Sequence, residues 1–132
     1  MFSNVLVAID GSDHSIKATH VAIELMSELP CANLTFLFVT DGRNTDEDAL
    51  AQEKIQKIII HLRKDLVKKD IEISFEVLQG LPGSTIVTYA KEQSFDLIVM
   101  GKRGLNPIQE MFLGSVSYKV VQKANCPVLI IK

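Results

Sequence analysis

The sequence predicts an α/β fold: one open five-stranded parallel sheet with helices on both faces, in a single domain spanning residues 1–132. Three observations predict it. Short β-branched runs alternate with longer amphipathic stretches in the order βαβαβαβαβ, which requires a parallel sheet with right-handed crossovers. The runs Val5–Ile9 and Leu97–Met100 are apolar throughout, as strands are when helices cover both faces, so they belong side by side near the sheet centre. No linker, repeat or low-complexity tract divides the 132 residues, a length close to the commonest domain size.

The elements follow in order. After Val5–Ile9, the cluster Asp10-Gly11-Ser12-Asp13 makes a turn in which Ser12 or Asp13 caps a helix. That helix carries Ala18, Ala22, Leu25, Met26 and Leu29 on one stripe and stops before Pro30. Asn33–Thr40 is the second strand. Thr45 with Asp48 resembles a capping box, and acidic residues 46–48 suit a helix N-terminus. The long helix then places Ile55, Ile58, Ile59, Leu62 and Leu66 at helical spacing, ending at Lys68-Lys69. Ile71–Leu78 alternates apolar with polar residues, which suits an edge strand. Gly80–Gly83 leads into a helix bearing Ile86, Val87, Tyr89 and Ala90. Asp96–Met100 forms the fourth strand, Ser115–Lys123 a short helix and Pro127–Ile131 the fifth strand.

Composition narrows the function classes. A chain with 47% hydrophobic and 23% charged residues is expected to fold as an ordinary globular domain rather than remain disordered. Its net charge of -2 gives no general attraction to nucleic acid or anionic lipid. The first residues lack the pattern of a signal peptide, and no apolar run reaches the roughly 20 residues of a membrane span. A cytoplasmic protein with reduced Cys31 and Cys126 is the expectation, since neither cysteine lies in a CxxC pair.

The chemistry lies between Gly101 and Ser117. Gly101-Lys102-Arg103-Gly104 follows the fourth strand, and Gly114-Ser115-Val116-Ser117 opens the next helix. Glycines admit a ligand that a Cβ would exclude, and a helix N-terminus offers unpaired N–H groups at the positive end of its dipole. Ser115 and Ser117 add hydroxyl donors, so phosphate is the natural guest. The same letters also describe ordinary turn glycines and a helix cap. They match neither the P-loop nor G-x-G-x-x-G.

Glycine, two residues, glycine, nine residues and Gly-Ser together resemble the signature of the ATP-binding universal stress proteins. Val5-Leu-Val-Ala-Ile-Asp-Gly-Ser12, Asp96-Leu-Ile-Val-Met-Gly101 and Cys126-Pro-Val-Leu-Ile-Ile131 resemble that family's first, fourth and last strands. The resemblance implies a Rossmann-like sheet of the adenine nucleotide alpha hydrolase-like type, with strand order 3-2-1-4-5. Ligands of such sheets bind outside the strand carboxyl ends at the topological switch point, here between strands 1 and 4. It implies that Asp10 lies beside adenosine, that the Val39 backbone meets adenine, and that Gly101, Gly104, Gly114, Ser115 and Ser117 hold ribose and phosphate. Phe38 departs from the family, where histidine is frequent. Arg103 and Lys102 are candidate phosphate partners, although loop cations are usually solvated.

The resemblance further implies ATP, or ADP or AMP, with a divalent ion such as Mg2+ or Mn2+, and a homodimer paired through the last strand. No general base can be assigned from spacing, so a binding module ranks above a slow ATPase or phosphotransferase, and above a nucleotide-free scaffold. His14, His20 and His61 are expected on surface or helix faces. Met100 and Met111 are expected to fill gaps.

Overall fold

The computed structural model describes residues 2–29, 33–66, 70–102 and 113–132. Its elements are β1 (Asn4–Ala8), α1 (Asp13–Ser27), β2 (Asn33–Thr40), α2 (Thr45–Leu66), β3 (Glu72–Gln79), α3 (Pro82–Glu92), β4 (Leu97–Gly101), α4 (Ser115–Lys123) and β5 (Val128–Ile131). All four strand pairings are parallel and the order is β3-β2-β1-β4-β5. β1 therefore lies at the centre, paired with β2 on one side and β4 on the other. The expected strands are all present, β2 with unchanged limits and the others with limits moved by one residue; Gly101 is the last residue of β4 rather than the first beyond it.

Strand parity explains the two cores. Val5 and Val7, with Phe36 of β2 and Val99 of β4, pack against Ala18, Ala22 and Met26 of α1 and the isoleucine stripe of α2. Leu6 and Ala8, with Leu37, Ile98 and Met100, meet Ile86 and Ala90 of α3 and Val120 of α4. Every residue of β4 is buried, as are four of the five in β1. Two apolar faces leave no place for the alternation seen in the edge strand β3. On β3 the odd positions Ile73 and Phe75 pack on the α2 side, while Glu72 and Glu76 are exposed.

Two local features fix the helix starts. Ser12 caps α1, its Oγ accepting from the Ser15 N–H at 3.3 Å. For α2 the expected Thr45–Asp48 box is displaced by one residue. Asn44 Oδ1 accepts from the Glu47 N–H at 3.1 Å and its Nδ2 donates to Glu47 Oε2 at 2.9 Å. Asn44 is thus the cap, and Asp48 is bonded instead to the Thr40 hydroxyl. At the opposite end of the sheet, Asp96 ties β1 to the α3–β4 connection. Its carboxylate accepts from the Ser3 N–H and Oγ and from the Asn4 N–H, at 2.9, 3.2 and 3.1 Å.

Candidate functional site

The strand order changes direction between β1 and β4: the chain runs outward to β3, then returns to the other side of β1. The connections leaving β1 and β4 diverge to opposite faces there, which opens a crevice at the strand carboxyl ends. A cavity of about 120 Å³ occupies that place. Asp10, Val39, Gly101, Val116 and Ser117 all line it, so residues separated by up to 107 positions in sequence share one wall system. Its interior is mostly apolar, through Ala8, Leu37, Ile86 and Met100, the upper end of the core shared with α3 and α4. This volume is below the roughly 300–1,000 Å³ of a whole ligand site, so it suits the apolar part of a ligand, with the remainder lying outside.

The polar groups have definite partners. Asp10 Oδ1 accepts from the Ser12 N–H at 2.9 Å, and the Asp10 N–H donates to Ser15 Oγ at 3.3 Å. Asp10 thus shapes the turn into α1 while facing the crevice; Ser12 is the cap. Ser117 is buried, and its hydroxyl donates to the Gly101 carbonyl at 2.8 Å. That proton is committed to the protein, so the hydroxyl expected to donate to a ligand presents only its oxygen lone pairs.

The start of α4 is anchored by backbone bonds. The Gly114 N–H donates to the Lys102 carbonyl at 2.8 Å, and the Lys102 N–H donates to the Ile131 carbonyl at 2.7 Å. Gly114 is the N-cap and supplies no side-chain cap. The amides of Ser115, Val116 and Ser117 are the first-turn donors that a helix leaves without intrahelical acceptors. Ser115 is exposed, just outside the lining residues. The first turns of α1 and α2 hold Asp13 and Asp46, Glu47 and Asp48, whereas those of α3 and α4 hold no acidic residue. Both of those unneutralised ends reach the crevice, through Pro82 and through Val116 and Ser117. Such ends favour an anion.

Gly101 has a reason that sequence reasoning missed. A Cβ there would lie 2.7 Å from the carbonyl carbon and Cβ of His14, and 2.9 Å from its oxygen. The glycine admits the first turn of α1 against β4, rather than serving only ligand approach. His14 is correspondingly half-buried, not a plain surface residue, and its Nδ1 has no hydrogen-bond partner among the described residues. His20 and His61 are exposed. Met100 lines the crevice rather than merely filling a gap. Arg103 and Gly104, together with Cys31 and Met111, lie outside the described residues.

The fold is that of an open parallel α/β protein with a crevice at its switch point, beside a helix start that carries no acidic residue. A family model described as the universal stress protein family (Usp) matches residues 1–132, and the chain belongs to that family. Universal stress protein YxiE of Bacillus subtilis is 34% identical over 149 aligned residues, covering 100% of both chains. Among solved structures, the universal stress protein from Archaeoglobus fulgidus in complex with dAMP is similar with a TM-score of 0.75 and 28% identity, over 100% of both chains. A universal stress protein in complex with cAMP matches with a TM-score of 0.73 and 27% identity, over 98% of this chain and 96% of the other.

Proposed function

We propose that the crevice binds an adenine nucleotide, ATP or its relatives ADP and AMP, and that occupancy regulates the protein's association with partners in the cytoplasm. The observation that carries this reading is the juxtaposition of an apolar slot with the uncapped, acid-free N-terminus of α4. A base suits the slot and a phosphate suits the amides. The dAMP and cAMP complexes of two relatives support the same ligand class, because both molecules join adenine to a phosphate through a pentose. Among the described residues no three His, Cys, Asp or Glu side chains stand together as a metal site. An Mg2+ or Mn2+ ion would therefore arrive on the phosphates, retaining water ligands. On the family resemblance, Gly101, Gly104, Gly114, Ser115 and Ser117 are proposed as the nucleotide's ribose and phosphate contacts, with Arg103 as a further phosphate partner.

The reading extends to a homodimer through β5. The two sheet edges differ: β3 exposes Glu72 and Glu76, whereas all four residues of the apolar β5 are half-buried. Charge on an edge prevents strand addition, and an apolar edge invites it. Calorimetric titration of ATP, ADP and AMP, with and without Mg2+, tests the function. Wild type binds at least one of them, and a folded Gly114→Val variant loses most of the affinity because the added side chain crowds the amides. Equal affinity in that variant removes α4 from the site, and no binding by wild type removes the nucleotide reading.

A further inference from the structure

A second concavity lies between α3 and α4, an open groove of about 730 Å³ lined by Lys91, Lys119 and Lys123 against the single carboxylate of Glu92. The chain as a whole has net charge -2, so this local excess of cations is a segregation rather than a reflection of composition. None of the three lysines has a carboxylate within 4.0 Å among the described residues, where the ion pairs are Arg43–Asp41 and Lys57–Glu53.

Lys91 and Lys123 occupy the last turns of their helices, where a cation also offsets the helix dipole. Lys119 has no such role. Its stem lies over Gly83, so close that a Cβ on Gly83 would come within 2.7 Å of Lys119 Cγ. The glycine thus lets the stem rest on the α3 backbone and carry its ammonium beside the groove. Hydroxyls of Ser84 and Thr88 and the Val87 side chain complete the α3 wall.

We propose that this groove docks an extended, carboxylate-rich segment of a partner protein. Ser84 to Lys91 spans about 10 Å of helix, the reach of three or four extended residues. Successive side chains of an extended strand point to opposite sides, and both walls carry ammonium groups. Alternate carboxylates then meet Lys91 on one wall and Lys119 and Lys123 on the other. The site is separate from the crevice, and its occupancy is tested without nucleotide.

The probe is a fluorescein-labelled hexaglutamate peptide, followed by anisotropy with the full chain at low ionic strength. Wild type binds saturably, and binding weakens as salt rises. Lys119→Glu with Lys123→Glu weakens it about tenfold or more, and the two glutamine replacements weaken it by about threefold. Lys64→Glu, an exposed change on α2, leaves it within about twofold. Thermal melts verify that each variant is folded, and the glutamine pair serves if the reversals fail to fold. The proposal is overturned by absence of saturable binding, by equal loss in Lys64→Glu, or by tripolyphosphate displacing the peptide at lower concentration, which would mark a small-anion site instead.

Discussion

Replacing Gly101 by alanine tests the joint on which the crevice depends. Ordinary contact begins near 3.4 Å, and the new methyl would sit 2.7 Å from the His14 carbonyl carbon and Cβ. The first turn of α1 must then retreat from β4 by about 0.7 Å. Overpacking of this kind costs about 1–3 kcal/mol. At this chain length each kcal/mol lowers the melting temperature by roughly 3–5 °C, so a drop of roughly 6–10 °C is expected at about 2 kcal/mol. Two of the three crowded atoms belong to the His14 backbone, and the third is its Cβ. Adding His14→Ala to Gly101→Ala therefore gives no recovery. Circular dichroism melts of wild type and both variants provide the assay. A Gly101→Ala protein melting within about 1 °C of wild type would refute the close approach of α1 and β4.

Other perturbations follow from single contacts. Asp96→Ala removes the acceptor of three hydrogen bonds and is expected to lower stability by about 1–3 kcal/mol, read from the urea midpoint. Asn44→Ala should cost about 1 kcal/mol and Thr45→Ala only a few tenths; the reverse ranking would restore Thr45 as the cap of α2. Burial, then the Glu76 carboxylate, raises the Tyr89 phenol, and burial, then Asp96, raises the Cys126 thiol. The folded state holds these protons longer than the unfolded chain. Their stabilisation is complete below the unfolded values, about 8.5 for cysteine and 10 for tyrosine, and is lost as pH rises through the folded ones. In a Tyr118→Phe background, Glu76→Gln should shift the tyrosinate absorbance titration to lower pH; an unchanged midpoint would remove Glu76 as a cause.

The sequence made the sheet legible because burial differs between strands. The continuous apolar runs of β1 and β4 and the alternation of β3 record coverage on two faces and on one. The capping of α2 was legible only to within a residue. Asn44, Thr45, Glu47 and Asp48 satisfy the same pattern in two registers, and the bond that the Thr40 hydroxyl donates to Asp48 decides between them through tertiary contact. Asp10, Val39, Gly101, Val116 and Ser117 could be grouped because strand order and helix start point to one crevice. The partners of these residues were not legible. That Ser117 donates to Gly101 depends on how α4 settles on β4, and that Gly101 faces His14 depends on the approach of α1. Leu37, Ile86 and Met100 complete the slot. Strand parity was the available signal for Leu37 and Met100, since both lie on the Ala8 face of the sheet.

The amides at the start of α4 report most directly on the proposed nucleotide site. Nitrogen-15 labelled protein titrated with AMP and with ATP, followed by amide chemical shifts, resolves Ser115, Val116 and Ser117 separately from the rest of the chain. Saturating shifts at those three amides together with Val39 are expected, larger at the α4 amides for ATP than for AMP. Saturating shifts confined to other elements, or none with either nucleotide, would contradict the site.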